Sequence, residues 1–233
     1  MNGIVWLGDE EDQTWFPPVE RALGEPDGLL AAGGSLTPAR LVAAYERGIF
    51  PWYSDGQPVL WWSPDPRAVL FPDELHVSRS LRKVLRSDRF VTRLDTAFAH
   101  VIAGCAAPRA AAPGTWLTPE MIEAYQRLHA LGLAHSVETW QGDRLAGGLY
   151  GVCLGRVFFG ESMFSAETDA SKVALVRLVA EARARGIGVI DCQVPNAHLQ
   201  SLGSRSIPRP EFLALLGAHC HPHAAGTWNP FAS

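Results

Sequence analysis

Three strand-like segments in direct succession constrain the fold of this chain more than any other feature. They are residues 135–141, 144–154 and 156–164. Tight connections, one of them at Gly155, join them in a way typical of neighbouring antiparallel strands. A helical pattern over residues 170–185, which ends at Gly186, and a further strand over 188–194 follow. We therefore predict a mainly antiparallel sheet covered by helices, which is the α+β class.

Polar residues lie in strongly apolar surroundings in two of the predicted strands. The strand over residues 156–164 contains Glu161, and the strand over residues 188–194 contains Asp191 and Gln193. Burying such groups is unfavourable unless they are paired or used. Side-chain alternation predicts that Asp191 and Gln193 share one face, about 7 Å apart, with Ile190, Cys192 and Val194 on the other. A satisfied polar patch and a reactive centre both fit these residues.

The first 65 residues are punctuated heavily by proline and glycine, unlike the rest of the chain. Thr37 and Pro38 are a typical helix start, and Gly48 a typical stop, which predicts a helix to about residue 47. Residues 60–62 form a short apolar strand before a proline-rich turn. We predict a small N-terminal domain over residues 1–65 and a catalytic domain over residues 66–233.

The overall charge and hydropathy argue against two classes of protein. The formal net charge is -4, so any contact with nucleic acid must come from a local basic patch. The apolar runs are too short to cross a bilayer. Acidic residues 9–12 stand where a signal sequence would be basic and then apolar. We therefore expect a cytoplasmic protein without membrane contacts.

The cysteines and histidines do not predict a metal site. None of the four cysteines forms a C-x-x-C pair, which is typical of reduced thiols. Cys192 is expected to face away from the polar strand face, so a nucleophilic role is not favoured. The histidine-rich run 219–223 resembles a metal site, but no second cluster of suitable spacing accompanies it.

One predicted helix carries a basic stripe, Arg79, Arg82, Lys83 and Arg86, at i, i+3, i+4 and i+7. Like charges on one helix face repel each other, and a polyanion relieves that repulsion. A solvated face paired with acids elsewhere is the alternative. In a chain that is acidic overall, the concentration of positive charge favours phosphate binding.

Aromatic and large apolar residues add two further candidate groups. Trp52, Trp61, Trp62 and Trp116 lie in proline- and glycine-rich loops or at short strands. Such residues either pack in the core or stack on a base of single-stranded RNA. Leu149, Phe158 and Leu178 either line a pocket for a bulky apolar side chain or belong to the core.

Several motifs together resemble one enzyme family. They are GLLAAGGSL at 28–36, RGIFPW at 47–52, LWWSPDPRA at 60–68, GESMFS at 160–165, ASK at 170–172 and IDCQV at 190–194. In this order, they are similar to the leucyl/phenylalanyl-tRNA–protein transferases, and the resemblance runs from about residue 16 to residue 212.

The resemblance implies a specific reaction and fold. The family transfers leucine or phenylalanine from aminoacyl-tRNA to a protein that begins with Arg or Lys. The product is marked for degradation by the N-end rule pathway. The implied fold is a small N-terminal domain plus a catalytic domain similar to the GCN5-related N-acetyltransferases. We expect no cofactor or metal, because the aminoacyl ester is already activated. We also expect a monomer.

The resemblance also assigns roles to the candidate residues. The positions at the 3′-terminal adenosine match Trp52 and Trp116. The pocket for the transferred side chain matches Leu149, Phe158 and Leu178, and the polar centre matches Glu161, Asp191 and Gln193. The basic stripe fits the tRNA acceptor stem. This chain has Leu149 and Leu178 where Met and Phe are expected in a relative, so the preference among leucine, phenylalanine and methionine stays open.

The chemistry of the polar centre limits what each residue can do. The attacking α-amine has a pKa near 8, so a fraction on the order of a tenth is neutral at cytosolic pH. An amide such as Gln193 cannot accept a proton at neutral pH. We therefore expect Gln193 to orient the amine and Asp191 to anchor the arrangement. Glu161 orients these groups or receives the cationic side chain of the acceptor.

Two other functions remain as alternatives. An acetyl-CoA-dependent N-acetyltransferase needs a glycine-rich turn before the helix that follows the hairpin, to hold the pyrophosphate. Residues 165–172 contain no glycine and carry two acids. A non-catalytic RNA-binding module leaves Glu161, Asp191 and Gln193 unexplained, although the basic stripe fits it.

Overall fold

The structure is a computed structural model that describes residues 3–9, 12–107 and 117–220. Its strands are β1 Val5–Leu7, β2 Leu29–Gly33, β3 Phe50–Pro51, β4 Leu60–Trp62, β5 Arg67–Leu70, β6 Val91–Leu94, β7 Ala134–Gln141, β8 Arg144–Leu154, β9 Val157–Ser165, β10 Val189–Gln193 and β11 Arg205–Ile207. Its helices are α1 Pro38–Tyr45, α2 Arg79–Leu85, α3 Phe98–Ala106, α4 Pro119–Ala130, α5 Ala170–Ala184, α6 Ala197–Gln200 and α7 Arg209–His219.

The larger sheet has the strand order β11-β5-β10-β9-β8-β7-β6. Every neighbouring pair in it is antiparallel except β9 and β10, which run parallel. The predicted run of three strands is confirmed as β7, β8 and β9. Gly142 and Gly155 in the two connections have φ of 58° and 59°, values that glycine adopts without strain. The α+β class with a mainly antiparallel sheet is therefore confirmed.

The parallel pair β9 and β10 separates after three residues. Val157–Phe159 pair with residues 189–191, and beyond Phe159 strand β9 pairs only with β8. Strand β10 meanwhile ends in a bulge against β5, between Asp191 and Gln193. A gap therefore opens between the two strands where each carries its polar residues.

The N-terminal part forms a second sheet, in the order β1-β2-β4-β3. Helix α1 begins as predicted, because the Thr37 hydroxyl accepts a hydrogen bond from the Arg40 amide at 3.3 Å. Trp61 of β4, Tyr45 of α1 and Phe159 of β9 belong to one hydrophobic cluster. The small sheet thus shares its core with one face of the large sheet, and the domain division at residue 65 stays a prediction.

The remaining helices cover the large sheet on both sides. Helix α5 packs with Phe158 and Ile190 in a second cluster, on the opposite face from α3 and α4. The Thr118–Pro119 pair in the sequence predicts the start of helix α4, and Thr118 caps it in the structure. The helical spacing also predicts Leu131 on the same side as Met121, Tyr125 and Leu128, but Leu131 is 60% exposed because the helix ends at Ala130. None of the helices in the described ranges combines the length and apolar character needed to cross a bilayer.

Some elements differ from the sequence prediction. The sequence pattern predicts a helix over residues 95–105, but helix α3 begins at Phe98, because residues 91–94 pair as strand β6 along the edge of the sheet. Asp95 follows β6 with φ of 54°, which interrupts the backbone before the helix. Strand β11 and helix α7 were not predicted.

Candidate active site

An open cleft of about 1010 Å³ lies where β9 and β10 separate. Its lining includes the polar residues Glu161, Asp191 and Gln193 and the apolar residues Leu149, Met163, Leu175, Leu178 and Ile190. The structure therefore brings the three predicted polar residues together, next to two of the three predicted pocket residues. Met163 and Leu175 were not predicted, because their positions on a strand and a helix are typical of ordinary core residues.

Asp191 forms a buried ion pair with Arg67, a residue the sequence analysis missed. The Arg67 Nε and Nη2 atoms donate to Oδ1 and Oδ2 at 2.8 and 2.7 Å. Arg67 Nη1 donates to the Gly48 carbonyl at 3.1 Å, and the guanidinium lies 4.8 and 4.7 Å from the ring centroids of Phe50 and Phe212. Both carboxylate oxygens are engaged in a bidentate pair, so Asp191 is a fixed anchor at the end of β10.

Gln193 occupies a three-residue turn rather than a regular strand position. Its φ is 56°, its amide donates to Asp191 Oδ1 at 3.0 Å, and the Val194 amide donates to the Cys192 carbonyl at 2.8 Å. Ile190 and Cys192 belong to the cluster on the α5 face, whereas Asp191 turns to Arg67 on the other side, so the predicted alternation holds up to Cys192. The bulge and the turn end it at Gln193, and all of residues 190–194 reach the cleft.

The side-chain nitrogen of Gln193 is a hydrogen-bond donor that a bound molecule could use. Nε2 is buried and has no hydrogen-bond partner among the residues that the structure describes. A buried amide donor left unpaired is unfavourable and rare in native proteins. In the wall of a cleft, this donor is available to a molecule that enters.

Glu161 lies between two tyrosine hydroxyls that the sequence analysis also missed. Tyr45 of α1 donates to Oε1 at 2.8 Å, and Tyr125 of α4 donates to Oε2 at 2.6 Å. The two hydroxyls are themselves 2.8 Å apart. Burial raises the pKa of Glu161 to about 7, aided by Asp191 and opposed by both hydroxyls and Arg67. This carboxyl therefore changes its charge near neutral pH.

The apolar end of the cleft contains Leu149 and Leu178 but not Phe158. Phe158 is fully buried behind them in the same hydrophobic cluster and is not among the lining residues. Gly151 makes room for its ring, since a Cβ atom at position 151 would lie 2.5 Å from Phe158 Cε1. Phe158 therefore supports the cleft wall from behind.

The two tryptophans assigned to the 3′-terminal adenosine lie elsewhere or outside the described residues. Trp52 is 45% exposed, and its ring centroid is 5.7 Å from that of Trp62. The Trp62 Nε1 atom donates to the Trp52 carbonyl at 2.6 Å, which fixes this pair. Trp52 is not among the residues that line the cleft. Trp116 lies outside the described residues.

The basic stripe forms a separate feature on the surface. Arg79, Arg82, Lys83 and Arg86 are exposed and line a groove of about 500 Å³. None of them forms a salt bridge with another described residue. Arg89, just beyond the helix, does pair with Glu167 at 3.2 Å. In the described part of the chain, neighbouring acidic residues therefore do not neutralise the basic stripe through ion pairs.

The described thiols provide no second reactive group in the cleft, and His198, which lines it, has a pKa that partial burial lowers. The four cysteines are free, and burial raises the pKa of Cys192 far above its usual range, so its thiol stays protonated at neutral pH. Across residues 3–9, 12–107 and 117–220, no group of three His, Cys, Asp or Glu side chains is placed to hold a metal ion. Residues 221–223 of the histidine-rich run lie outside the described residues.

Comparisons with known proteins agree on one family. The profile described as "Leucyl/phenylalanyl-tRNA protein transferase" matches residues 69–217, and the profile of that family's N-terminal domain matches residues 34–65. The leucyl/phenylalanyl-tRNA–protein transferase of Stutzerimonas stutzeri (strain A1501) is 59% identical over 225 residues, which cover 97% of this chain and 99% of that one. The enzyme of the same name from Azoarcus sp. (strain BH72) is 63% identical over 211 residues, 91% of this chain and 88% of that one.

Solved structures show only a weak likeness. A GCN5-related N-acetyltransferase from Kribbella flavida matches 72% of this chain and 60% of its own, with 12% identity and a TM-score of 0.39. A likeness of that size supports no functional conclusion.

Proposed function

The chain belongs to the leucyl/phenylalanyl-tRNA–protein transferase family, and we propose that it transfers leucine or phenylalanine, and methionine more weakly, from aminoacyl-tRNA to proteins that begin with Arg or Lys. The transfer marks these proteins for N-end rule degradation. The observation that carries this proposal is the single cleft that joins an apolar end to Glu161, Asp191 and Gln193.

The apolar end of the cleft receives the side chain of the transferred amino acid. Leu149 and Leu178 form its walls together with Met163 and Leu175, without a charged group among these four. Apolar cavities separate side chains that differ by one methylene by only about 10- to 200-fold. Transfer of methionine alongside leucine and phenylalanine is the expected consequence.

The polar end holds the attacking amine. The unpaired Nε2 of Gln193 supports a hydrogen bond donated to an oxygen of the substrate, and the amide oxygen is the atom that can accept one from the attacking amine, so Gln193 orients both groups. Asp191, held by Arg67, fixes the turn on which Gln193 sits, through the bond to the Gln193 amide. Orientation of two reactants in one cleft removes much of the entropic barrier to their reaction.

The tRNA contacts lie outside the cleft. The unpaired basic stripe on α2 offers four positive charges to the phosphates of the acceptor stem. Trp52 is exposed enough to stack on a base near the 3′ end, and Trp116 is proposed for the same role.

The acetyl-CoA alternative gains no support from the start of helix α5. Glu167 pairs there with Arg89 and Arg144, and Asp169 pairs with Lys172 at 2.8 Å. The first amides of the helix are also occupied, because Ala170 N donates to the Glu167 carbonyl at 3.1 Å and Ser171 N donates to Ser165 Oγ at 2.9 Å. These amides are therefore not free to hold a pyrophosphate.

A transfer assay tests the proposal. Radiolabelled Leu-tRNA or Phe-tRNA is incubated with a peptide that begins with Arg, with a control peptide that begins with Ala, and separately with labelled acetyl-CoA as donor. We expect label only in the Arg peptide and only from the aminoacyl-tRNA. Label from acetyl-CoA, or equal labelling of both peptides, would overturn the proposed function.

Two substitutions of Gln193 test its role in the same assay. Gln193→Ala is expected to lower turnover at saturating substrates, because the amine loses its orienting group. Full turnover in this variant would contradict that role. A Gln193→Glu variant that is much faster than the wild type would instead show that the reaction needs a proton acceptor at this position.

A further inference from the structure

The cluster of Tyr45, Tyr125 and Glu161 has three close oxygen–oxygen contacts. The distances are 2.8 Å from Tyr45 to Oε1, 2.6 Å from Tyr125 to Oε2 and 2.8 Å between the two hydroxyls. Each contact of this length requires one hydrogen atom between the oxygens. When Glu161 is ionised, the cluster holds only the two hydroxyl hydrogens, and one contact is left without any.

One added proton completes this cluster. A protonated Glu161 donates to one hydroxyl, that hydroxyl donates to the other, and the second donates to the remaining carboxyl oxygen. All three contacts then hold one hydrogen each, in a closed ring. The same oxygens therefore hold the carboxyl in both charge states, by two donated hydroxyl hydrogens when it is ionised and by the closed ring when it carries a proton.

We propose that Glu161 accepts the proton of the attacking ammonium group, and that Tyr45 and Tyr125 are the positioning residues that hold its carboxylate for this purpose. The proposal rests on the proposed transfer function and deepens it. Glu161 is the one partly exposed carboxylate among the described lining residues of the cleft, since Asp191 is fully buried and paired with Arg67.

The groups that act on Glu161 come from five surrounding elements. They are Tyr45 of α1, Tyr125 of α4, Tyr150 of β8, Asp191 of β10 and Arg67 of β5. Asp191 raises the pKa of Glu161 and Arg67 lowers it, so the two members of this pair act in opposite directions. Tyr150 also lines the cleft, and its buried hydroxyl has no hydrogen-bond partner among the described residues.

Every bond and every proton is accounted for in the proposed reaction. An N–H bond of the acceptor ammonium breaks, and an O–H bond forms on Glu161. The neutral amine forms an N–C bond to the ester carbonyl, and the C–O bond to the ribose breaks. The excess proton on the nitrogen goes to the ribose oxygen that leaves. Glu161 returns its proton to water after the product departs.

The raised pKa of Glu161 suits this carboxylate to accept a proton from an ammonium group. Its pKa is raised by burial from 4.5 to about 7. Transfer of a proton from an ammonium group with a pKa near 8 is then unfavourable by only about tenfold. With an ordinary glutamate, the same transfer is unfavourable by about three-thousandfold. A base with a pKa near the working pH is the most effective one.

The pH dependence of transfer tests the proposal. We expect the wild-type kcat to fall as the pH drops below about 7, because Glu161 becomes protonated. Glu161→Gln should lower kcat about a hundredfold at neutral pH and move the midpoint of that fall from about 7 to about 8, where the acceptor ammonium itself loses its proton. The Glu161 carboxyl is followed in parallel by ¹³C NMR of glutamate-labelled protein, with its signal assigned by its absence in the Glu161→Gln variant.

The two tyrosines are tested by removing only their hydroxyl groups. Tyr45→Phe and Tyr125→Phe should each move both the kinetic fall and the NMR titration to higher pH, because hydrogen bonds to an ionised carboxylate are the stronger ones. Tyr53→Phe is the matched control, since Tyr53 donates to Glu120 at 3.2 Å outside the cleft. It should leave both measurements unchanged.

The outcomes separate this proposal from the proposed function. If the wild type transfers no amino acid, the proposed function fails. If it transfers normally but Glu161→Gln keeps the same fall in activity below pH 7, only the role of Glu161 is overturned. If neither tyrosine variant moves the titration, the positioning role is overturned. Circular dichroism and tRNA binding establish that each variant is folded.

Discussion

Replacing Arg67 by methionine removes one half of the most deeply buried ion pair in the described structure. The side chains of Arg67 and Asp191 are 1% and 0% exposed, so the carboxylate is left as an unpaired charge in a buried position when its partner is lost. Breaking a buried pair from one side costs about 3–5 kcal/mol. The lost hydrogen bond to the Gly48 carbonyl adds about 1 kcal/mol. We therefore expect Arg67→Met to lower the free energy of unfolding by about 4–6 kcal/mol.

The control is Arg205→Met, a change of the same chemistry on the surface. Arg205 Nε donates to Glu74 at 2.9 Å, and its guanidinium lies 4.6 Å from the ring centroid of Phe71. The two side chains of this ion pair are 48% and 46% exposed. Exposed pairs contribute about 0–1 kcal/mol, so Arg205→Met should change stability by less than about 1 kcal/mol.

Urea unfolding followed by tryptophan fluorescence measures both changes, since the chain contains eight tryptophans. A double variant, Arg67→Met with Asp191→Leu, should recover much of the lost stability, because no charge stays buried alone. The same double variant should remain inactive, because the anchor of Gln193 is gone. If Arg67→Met destabilises the protein no more than Arg205→Met, the argument from burial is refuted.

Four other changes have expected outcomes. Leu178→Ala should raise transfer of phenylalanine relative to leucine in a competition assay, because the cavity becomes larger; unchanged relative rates would count against the assigned pocket. Lys83→Glu should weaken tRNA binding and reduce the slope of log affinity against log salt by about one or more, and an unchanged slope would place the tRNA elsewhere. Gly151→Ala should cost about 1–3 kcal/mol in urea unfolding, because its Cβ would overlap the Phe159 carbonyl oxygen and lie 2.5 Å from the Phe158 ring, and a neutral result would contradict that packing. Thr37→Ala should cost about 1 kcal/mol through loss of the α1 cap, measured in the same way, and no change would show that the cap contributes nothing.

Local signals predicted the helix starts and the central strands correctly. Thr37 and Thr118 cap α1 and α4 through bonds to amides three residues later, so the information lies within a few residues. The hairpins were predictable because short connections leave few alternatives. Strand β6 was missed, because an edge strand that alternates between exposed and partly exposed residues has no strong apolar pattern.

Long-range contacts of the site were not predictable in the same way. Arg67 and Asp191 are separated by 124 positions, and no local pattern links them. Tyr45 and Tyr125 lie on buried helix faces, where tyrosine is typical of a core. The alternation argument failed at Gln193, because a bulge and a positive φ appear only when β5 and β10 are paired.

The cleft is assembled from pieces that lie far apart along the chain. Tyr45 meets Glu161 across 116 positions, and α1 belongs to the part of the chain that carries the small sheet. Each such contact requires the closure of a long loop, which carries an entropic cost. A chain truncated anywhere between Tyr45 and Glu161 lacks one side of this contact. We therefore expect transfer activity only from a chain that contains the whole span.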